Sequence, residues 1–258
     1  ARGYRLYDRN GLRYLDLWQA GGRALLGHRP QRALTLVKGV LSQGANAGLP
    51  SVYERRLLDC LRRLLPGFEP LLTNSDAEVC SVLSRLGFQA EDLYDPALNA
   101  EPAEACLIGI WRPMAGPSLL PPNWSAVVPI LPSTIGQAPS PICVRLSNDL
   151  AVGLRDLQTA APQPAALLAA AVTGLEQLTY YKGANWADDV WPDPFGCSEW
   201  ERRGPYVSAR CGACSYDAVF DRFLQAGVLL SPIYPGPSIL PAFVSAGEQA
   251  MLMTLFAG

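Results

Sequence analysis

Leu65-Pro66-Gly67-Phe68-Glu69-Pro70-Leu71-Leu72-Thr73-Asn74-Ser75-Asp76-Ala77-Glu78 is the stretch on which the fold turns. Pro66-Gly67 ends a helix, residues 68–73 form an apolar run of strand length, and residues 74–78 open a helix that the spacing carries to about Leu86. Strand, polar turn and helix in that order make an anion cradle, because the first backbone N–H groups of a helix have no partner inside it. The same residues also read as a plain capping box, with Ser75 as N-cap and Glu78 reaching back to the turn. At this level both readings stand.

Working outward, a helix over 52–65 places Leu57, Leu58, Leu61, Leu64 and Leu65 on one face. Its arginines and Asp59 form a solvated face with helical ion-pair partners. Before it, Gly21-Gly22 and Gly27-His28-Arg29-Pro30 mark loops that lead into a helix over 31–42. Asn10-Gly11 sits between two alternating segments of residues 4–17, a hairpin signal because both residues tolerate positive φ. Downstream, residues 89–141 are rich in Pro and Ala, with weak strands near 105–111 and 126–131. A buried strand follows at 142–146, a helix at 164–181, an irregular Trp-rich stretch at 187–204, a helix at 215–226, a strand at 227–230 and a last helix at 248–256. Alternating helices and strands assign the chain to the α/β class.

Composition narrows the function. The chain has 258 residues, 49% hydrophobic and 17% charged, with 21 Lys and Arg against 23 Asp and Glu. That balance leaves no basic excess to hold a phosphate backbone, so nucleic acid is not the expected partner. The longest apolar run, 165–172, is eight residues, far short of the ~20 that span a bilayer. No apolar leader opens the chain, and seven scattered cysteines suit a reducing compartment better than a disulfide framework. The expected setting is the cytoplasm.

Two further motifs carry potential chemistry. His28 is the sole histidine; with no carboxylate or nucleophile beside it in sequence, it reads as a loop residue bonded to backbone. Classical two-histidine metalloprotease motifs are excluded. Cys211-Gly212-Ala213-Cys214 is a single Cys-x-x-Cys, with Cys197 the one further thiol nearby. Zinc wants a fuller ligand set, and a redox motif should follow a strand and open a helix near the start of a small domain. The expectation is packed free thiols without metal.

Taken in order, these segments resemble class-III aminotransferases of the pyridoxal-phosphate fold-type-I superfamily, in particular the glutamate-1-semialdehyde aminomutase branch. Asp8, Gly11, Tyr14, Leu15 and Asp16 match that family's hairpin pattern, and Gly27-His28-Arg29-Pro30 its Gly-His-x-x-Pro turn, one residue short. Asn74-Ser75-Asp76-Ala77-Glu78 is similar to the family's Asn-Ser-Gly-Thr-Glu-Ala loop, whose backbone holds the cofactor phosphate. Residues 223–232 and 244–248 resemble the small domain's closing strand and helix. The likeness covers residues 4–86 and 164–258.

The departures from the family pattern bear on function. Laid on the family's Asp-Glu-Val-x-x-Gly-Phe-Arg, residues 148–155 put Asn148 where an Asp would pair with the pyridine nitrogen. The segment that would carry the Schiff-base lysine is missing. Asp76 stands in place of a glycine, where its carboxylate opposes a phosphate. The resemblance therefore implies an abbreviated fold-type-I large domain with a small C-terminal α+β subdomain. It divides the chain as 1–45, an N-terminal hairpin and helix; 46–181, a reduced large α/β domain; and 182–258, the small subdomain.

Ser75, Asp76, Ala77 and Asn148 would be vestiges of a cofactor site, with no catalytic residue and no metal ligand. The expected protein is a degenerate, non-catalytic aminotransferase-like homodimer with a binding or assembly role and no cofactor. The alternative is a working pyridoxal-phosphate-dependent aminotransferase or aminomutase using Lys182.

Overall fold

A computed structural model describes residues 1–44, 50–98, 107–114, 123–133, 138–146, 162–181, 191 and 199–257. Its centre is a four-stranded sheet of β3 (Phe68–Thr73), β4 (Ile108–Trp111), β5 (Ala126–Pro129) and β6 (Ser140–Arg145), in the order β3-β6-β5-β4. β4 and β5 are parallel, and β6 runs antiparallel to both β3 and β5. β3, β4 and β5 thus all point the same way. Their carboxyl ends, at Thr73, Trp111 and Pro129, share one edge with Ser140, which opens β6 opposite Thr73.

Side chains alternate across this sheet as the pleat requires. Phe68, Leu72, Val127 and Cys143 face α2 (Val52–Leu64) and α4 (Ala165–Tyr181), meeting Leu57, Leu61, Leu168, Val172 and Leu175. Leu71, Ile108, Ala126, Ile142 and Val144 face α3 (Asp76–Arg85) through Val79, Val82 and Leu83. The sheet is therefore covered on both sides, as an α/β layer needs. Residues 107–145, with their prolines and weak strand signals, supply three of its four strands. Across the outer face of α4, α1 (Gln31–Ser42) packs Val37 and Val40 on Ala166, Ala169 and Ala170.

A second core gathers the two ends of the chain. β1 (Arg5–Tyr7) and β2 (Arg13–Asp16) form the expected hairpin. Its turn is tied by the Asp8 carboxylate, which accepts from the N–H groups of Asn10 and Leu12, each at 2.8 Å. β2 then pairs in parallel with β9 (Val228–Leu229), so Leu15 lies beside Val228. Trp200, Phe223 and Phe256 stack at ring separations of 4.9–5.6 Å inside this core. α5 (Ala213–Gln225) and α6 (Ala246–Ala257) close it.

The stretch 187–204 differs from its irregular reading at its end. Trp200–Arg203 is β7, paired antiparallel with β8 (Tyr206–Ala209), and β10 (Ser238–Ile239) joins β8. Glu201, Arg202 and Arg203 hide the period-two pattern because their charged ends reach partners at the rim. Gly204 makes the tight turn: its φ is +55°, and a Cβ there would lie 2.3 Å from the Met114 carbonyl oxygen. Among the described residues no helix is long and apolar enough to cross a membrane.

Candidate functional site

In open α/β sheets, ligands bind outside the carboxyl ends of the parallel strands. Here that edge is built from the start of α3, the residues after β4 and β5, the start of β6, and the loop 19–23 from the N-terminal hairpin. Ser75 and Glu78 form a reciprocal cap on α3: the Ser75 hydroxyl accepts from Glu78 N–H at 3.2 Å, and the Glu78 carboxylate accepts from Asn74 N–H at 2.7 Å. The Ser75 half of the capping box read from sequence is present, while Glu78 reaches the Asn74 N–H, one residue before the cap, so both bonds occupy donors of the turn and first helical residues.

Asp76, the first residue of α3, adds a second carboxylate. Its Oδ1 accepts from the Ser140 hydroxyl at 2.6 Å and lies 3.4 Å from the Arg23 guanidinium. Thr73 and Gln163 tie the same corner: Thr73 Oγ1 donates to Ser140 O at 2.5 Å, and Gln163 Nε2 donates to Thr73 O at 2.6 Å. Arg23 is itself positioned by its carbonyl, which accepts from Ser133 N–H at 2.7 Å.

Beyond β4, Arg112 makes a two-point ion pair with Asp95, at 2.8 and 2.7 Å, both side chains nearly excluded from water. Burial alone would lower the guanidinium's proton affinity, but Asp95 outweighs it and raises it above the ordinary arginine value. A third N–H of Arg112 reaches Gly21 O at 3.3 Å, and its guanidinium lies 5.6 Å from the centre of the Tyr206 ring. The charge that could greet an anion is already neutralised.

The loop that meets Arg112 is conformationally costly. Gln19, Ala20, Gly21 and Gly22 all have positive φ, at 48°, 51°, 69° and 103°. For the two that carry a Cβ this costs on the order of 1–3 kcal/mol each. Buried Asp16 holds the turn, its Oδ1 accepting from Trp18 and Gln19 N–H at 3.0 and 2.9 Å. Its Oδ2 lies 2.6 Å from His28 Nε2. The sole histidine therefore does have a carboxylate partner, correcting the sequence reading. Its backbone bond, His28 N–H to Gly3 O at 2.8 Å, is present as well.

Of the site residues named from sequence, Ser75, Asp76 and Ala77 lie together at the start of α3. Asn148 lies outside the described residues; β6 before it leaves the sheet at the opposite edge, with Arg145 beside Phe68. Lys182 and Cys197 also lie outside them, and Lys38 is on the exposed face of α1. Cys211 is partly exposed, and Cys214 falls within the first turn of α5. Sequence reasoning missed Arg23, Asp95, Arg112, Ser140 and Gln163. An arginine directly after an apolar strand was the one local cue to any of them.

No protein-family model matches the chain. An uncharacterized protein of Treponema pallidum is 29% identical over 282 aligned residues, spanning 93% of this chain and 87% of that one. A glutamate-1-semialdehyde 2,1-aminomutase of Thermoplasma acidophilum is 36% identical over 87 residues, or 33% of this chain and 21% of the enzyme. Among solved structures, a glutamate-1-semialdehyde aminomutase of Pseudomonas aeruginosa superposes with a TM-score of 0.72 at 14% identity, covering 100% of this chain and 85% of that one. The chain has the fold of the fold-type-I pyridoxal-phosphate aminotransferases, as the resemblance implied.

The first turn of α3 carries two carboxylates, Asp76 and Glu78, which an anion approaching this edge would meet.

Proposed function

We propose that this protein is a degenerate, non-catalytic member of the aminotransferase-like fold, acting in binding or assembly as a cytoplasmic homodimer without cofactor. The reading is supported by one observation: the Asp76 carboxylate lies at the start of α3, bonded to the Ser140 hydroxyl and 3.4 Å from the Arg23 guanidinium. A dianion entering there would be repelled and would have to break the Ser140 bond. Asp76, Ser75 and Ala77 are then the remains of a phosphate cradle. The Arg112–Asp95 pair closes the neighbouring part of the same edge.

A second reading, a working transaminase or aminomutase using Lys182, draws on one contact. Leu178, four residues before Lys182 in the sequence, is buried with Leu25, Tyr206 and Ile239, and Arg112 lies over the Tyr206 ring. The experiment separates the two. Purified protein is incubated with pyridoxal phosphate, dialysed and scanned in the near-visible range, then treated with borohydride. The proposal expects no retained band. A stoichiometric band that borohydride abolishes, and that Lys182→Ala lacks, would overturn it in favour of the enzyme. Sedimentation as a monomer at micromolar concentration would remove the dimer.

A further inference from the structure

Buried polar atoms without partners mark places that the fold alone does not satisfy, because native proteins leave few of them. Among the described residues, five buried side-chain polar atoms have none: Gln19 Oε1, Trp124 Nε1, Gln163 Oε1, Tyr206 Oη and Arg222 Nε. Gln163 belongs to the Thr73 corner already described. Gln19 and Tyr206 belong together, and both residues are 0% exposed.

Two residues join them. Gln19 Nε2 donates to Ile239 O at 3.0 Å, and Ile239 faces Tyr206 across the β8–β10 pair. Arg112 donates to the Gly21 carbonyl of the Gln19 loop and lies over the Tyr206 ring. A Cβ built on Gly21 would meet nothing within 4 Å, so there is room beside this loop.

The unmet groups set the chemistry of an occupant. Gln19 is left with an unpaired carbonyl oxygen, which needs a donor. Burial raises the Tyr206 hydroxyl above the ordinary tyrosine value, against the pull of Arg112, so it stays protonated and has a hydrogen to donate. Neither group is charged, and the neighbouring charges are already paired: Arg112 gives two N–H bonds to Asp95 and a third to Gly21 O. An ion buried here would find no counter-charge.

We propose that Gln19 and Tyr206 form a binding site for a small neutral molecule carrying a primary carboxamide, whose N–H donates to Gln19 Oε1 and whose carbonyl accepts from Tyr206 Oη. The proposal rests on the binding role proposed above and supplies its ligand class. Absent carboxamide binding refutes the ligand class alone, whereas a borohydride-sensitive band refutes the role.

Acetamide, acetate and acetamidinium share one shape and differ in charge, and each is titrated into the isotope-labelled full chain by NMR. Acetamide should bind at millimolar concentration, and the two ions at least ~10-fold more weakly. Tyr206→Phe should keep the ligand-free melting temperature, because the hydroxyl it deletes has no partner, and should weaken acetamide about 5-fold. No acetamide binding, equal affinity for the three probes, or wild-type affinity in Tyr206→Phe would each overturn the proposal. A lowered melting temperature of ligand-free Tyr206→Phe would overturn it as well, since that is the mark of a permanent buried water on the hydroxyl.

Discussion

Replacing Arg112 by Met should be among the most damaging single changes at this edge. The guanidinium is 9% exposed and the Asp95 side chain 8%, so deleting the cation leaves a carboxylate in a medium that solvates it poorly. Breaking a buried ion pair from one side costs about 3–5 kcal/mol. The lower half of that range applies, because Asp95 Oδ1 keeps the Ala97 N–H at 2.9 Å. The Gly21 carbonyl also loses its Arg112 donor at 3.3 Å, releasing one restraint on the left-handed loop. About 3 kcal/mol is a large share of the ~5–15 kcal/mol that holds a domain folded.

Arg112→Lys keeps the charge but not the two-point geometry and should fall between, at about 1–2 kcal/mol. The double variant Asp95→Leu, Arg112→Met removes both charges and should be less destabilised than the sum of its singles, because neither charge is left alone. Urea denaturation followed by circular dichroism measures all five proteins, wild type and the Asp95→Leu single included, with the slope checked for constancy. A loss under ~1 kcal/mol for Arg112→Met, or strict additivity in the double variant, would refute the argument that the pair is buried and coupled.

Glu248 caps α6 through Ser245 and pairs with Arg5; these contacts, led by Arg5 and opposed by burial, depress its carboxyl to about 2. A depressed acid stabilises the fold above its unfolded pKa and loses that contribution as pH falls through the folded value, so stability should drop between about pH 4.5 and 2. Glu248→Gln should remove about 2 kcal/mol at pH 7 and flatten that part of an acid titration; an unchanged acid limb would contradict the assignment. Gly109→Ala sets a Cβ 2.3–2.7 Å from the buried Trp124 ring, and should cost about 1–3 kcal/mol and shift tryptophan fluorescence. A variant with wild-type emission and stability would show that the ring has room. Asp76→Gly frees Ser140 and Arg23 for an external anion, so inorganic phosphate should raise its melting temperature and leave wild type unmoved. Equal responses in the two proteins would mean that the carboxylate is not what closes the cradle.

The sequence by itself determined the elements with strong local signals. Phe68–Thr73, the Ser75–Glu78 cap, the leucine face of α2 and the hairpin around Asn10-Gly11 depend on neighbours within a helical turn or a pleat, and each appears where expected. Tertiary structure decided what those elements surround. Asp76 meets Ser140 across 64 positions and Gln163 meets Thr73 across 90, while Arg112 and Asp95 are 17 apart and His28 and Asp16 are 12 apart. No helical or strand period links such pairs. Asp76 and Ser140, for example, meet because β6 returns antiparallel to β3 and delivers Ser140 to the edge where β3 ends. The β7–β8 hairpin escaped for the same reason: its charged residues are satisfied by partners that only the folded chain supplies. The cysteine motif shows both sides, since its spacing is written in the sequence but its place between a strand and a helix is a property of the fold.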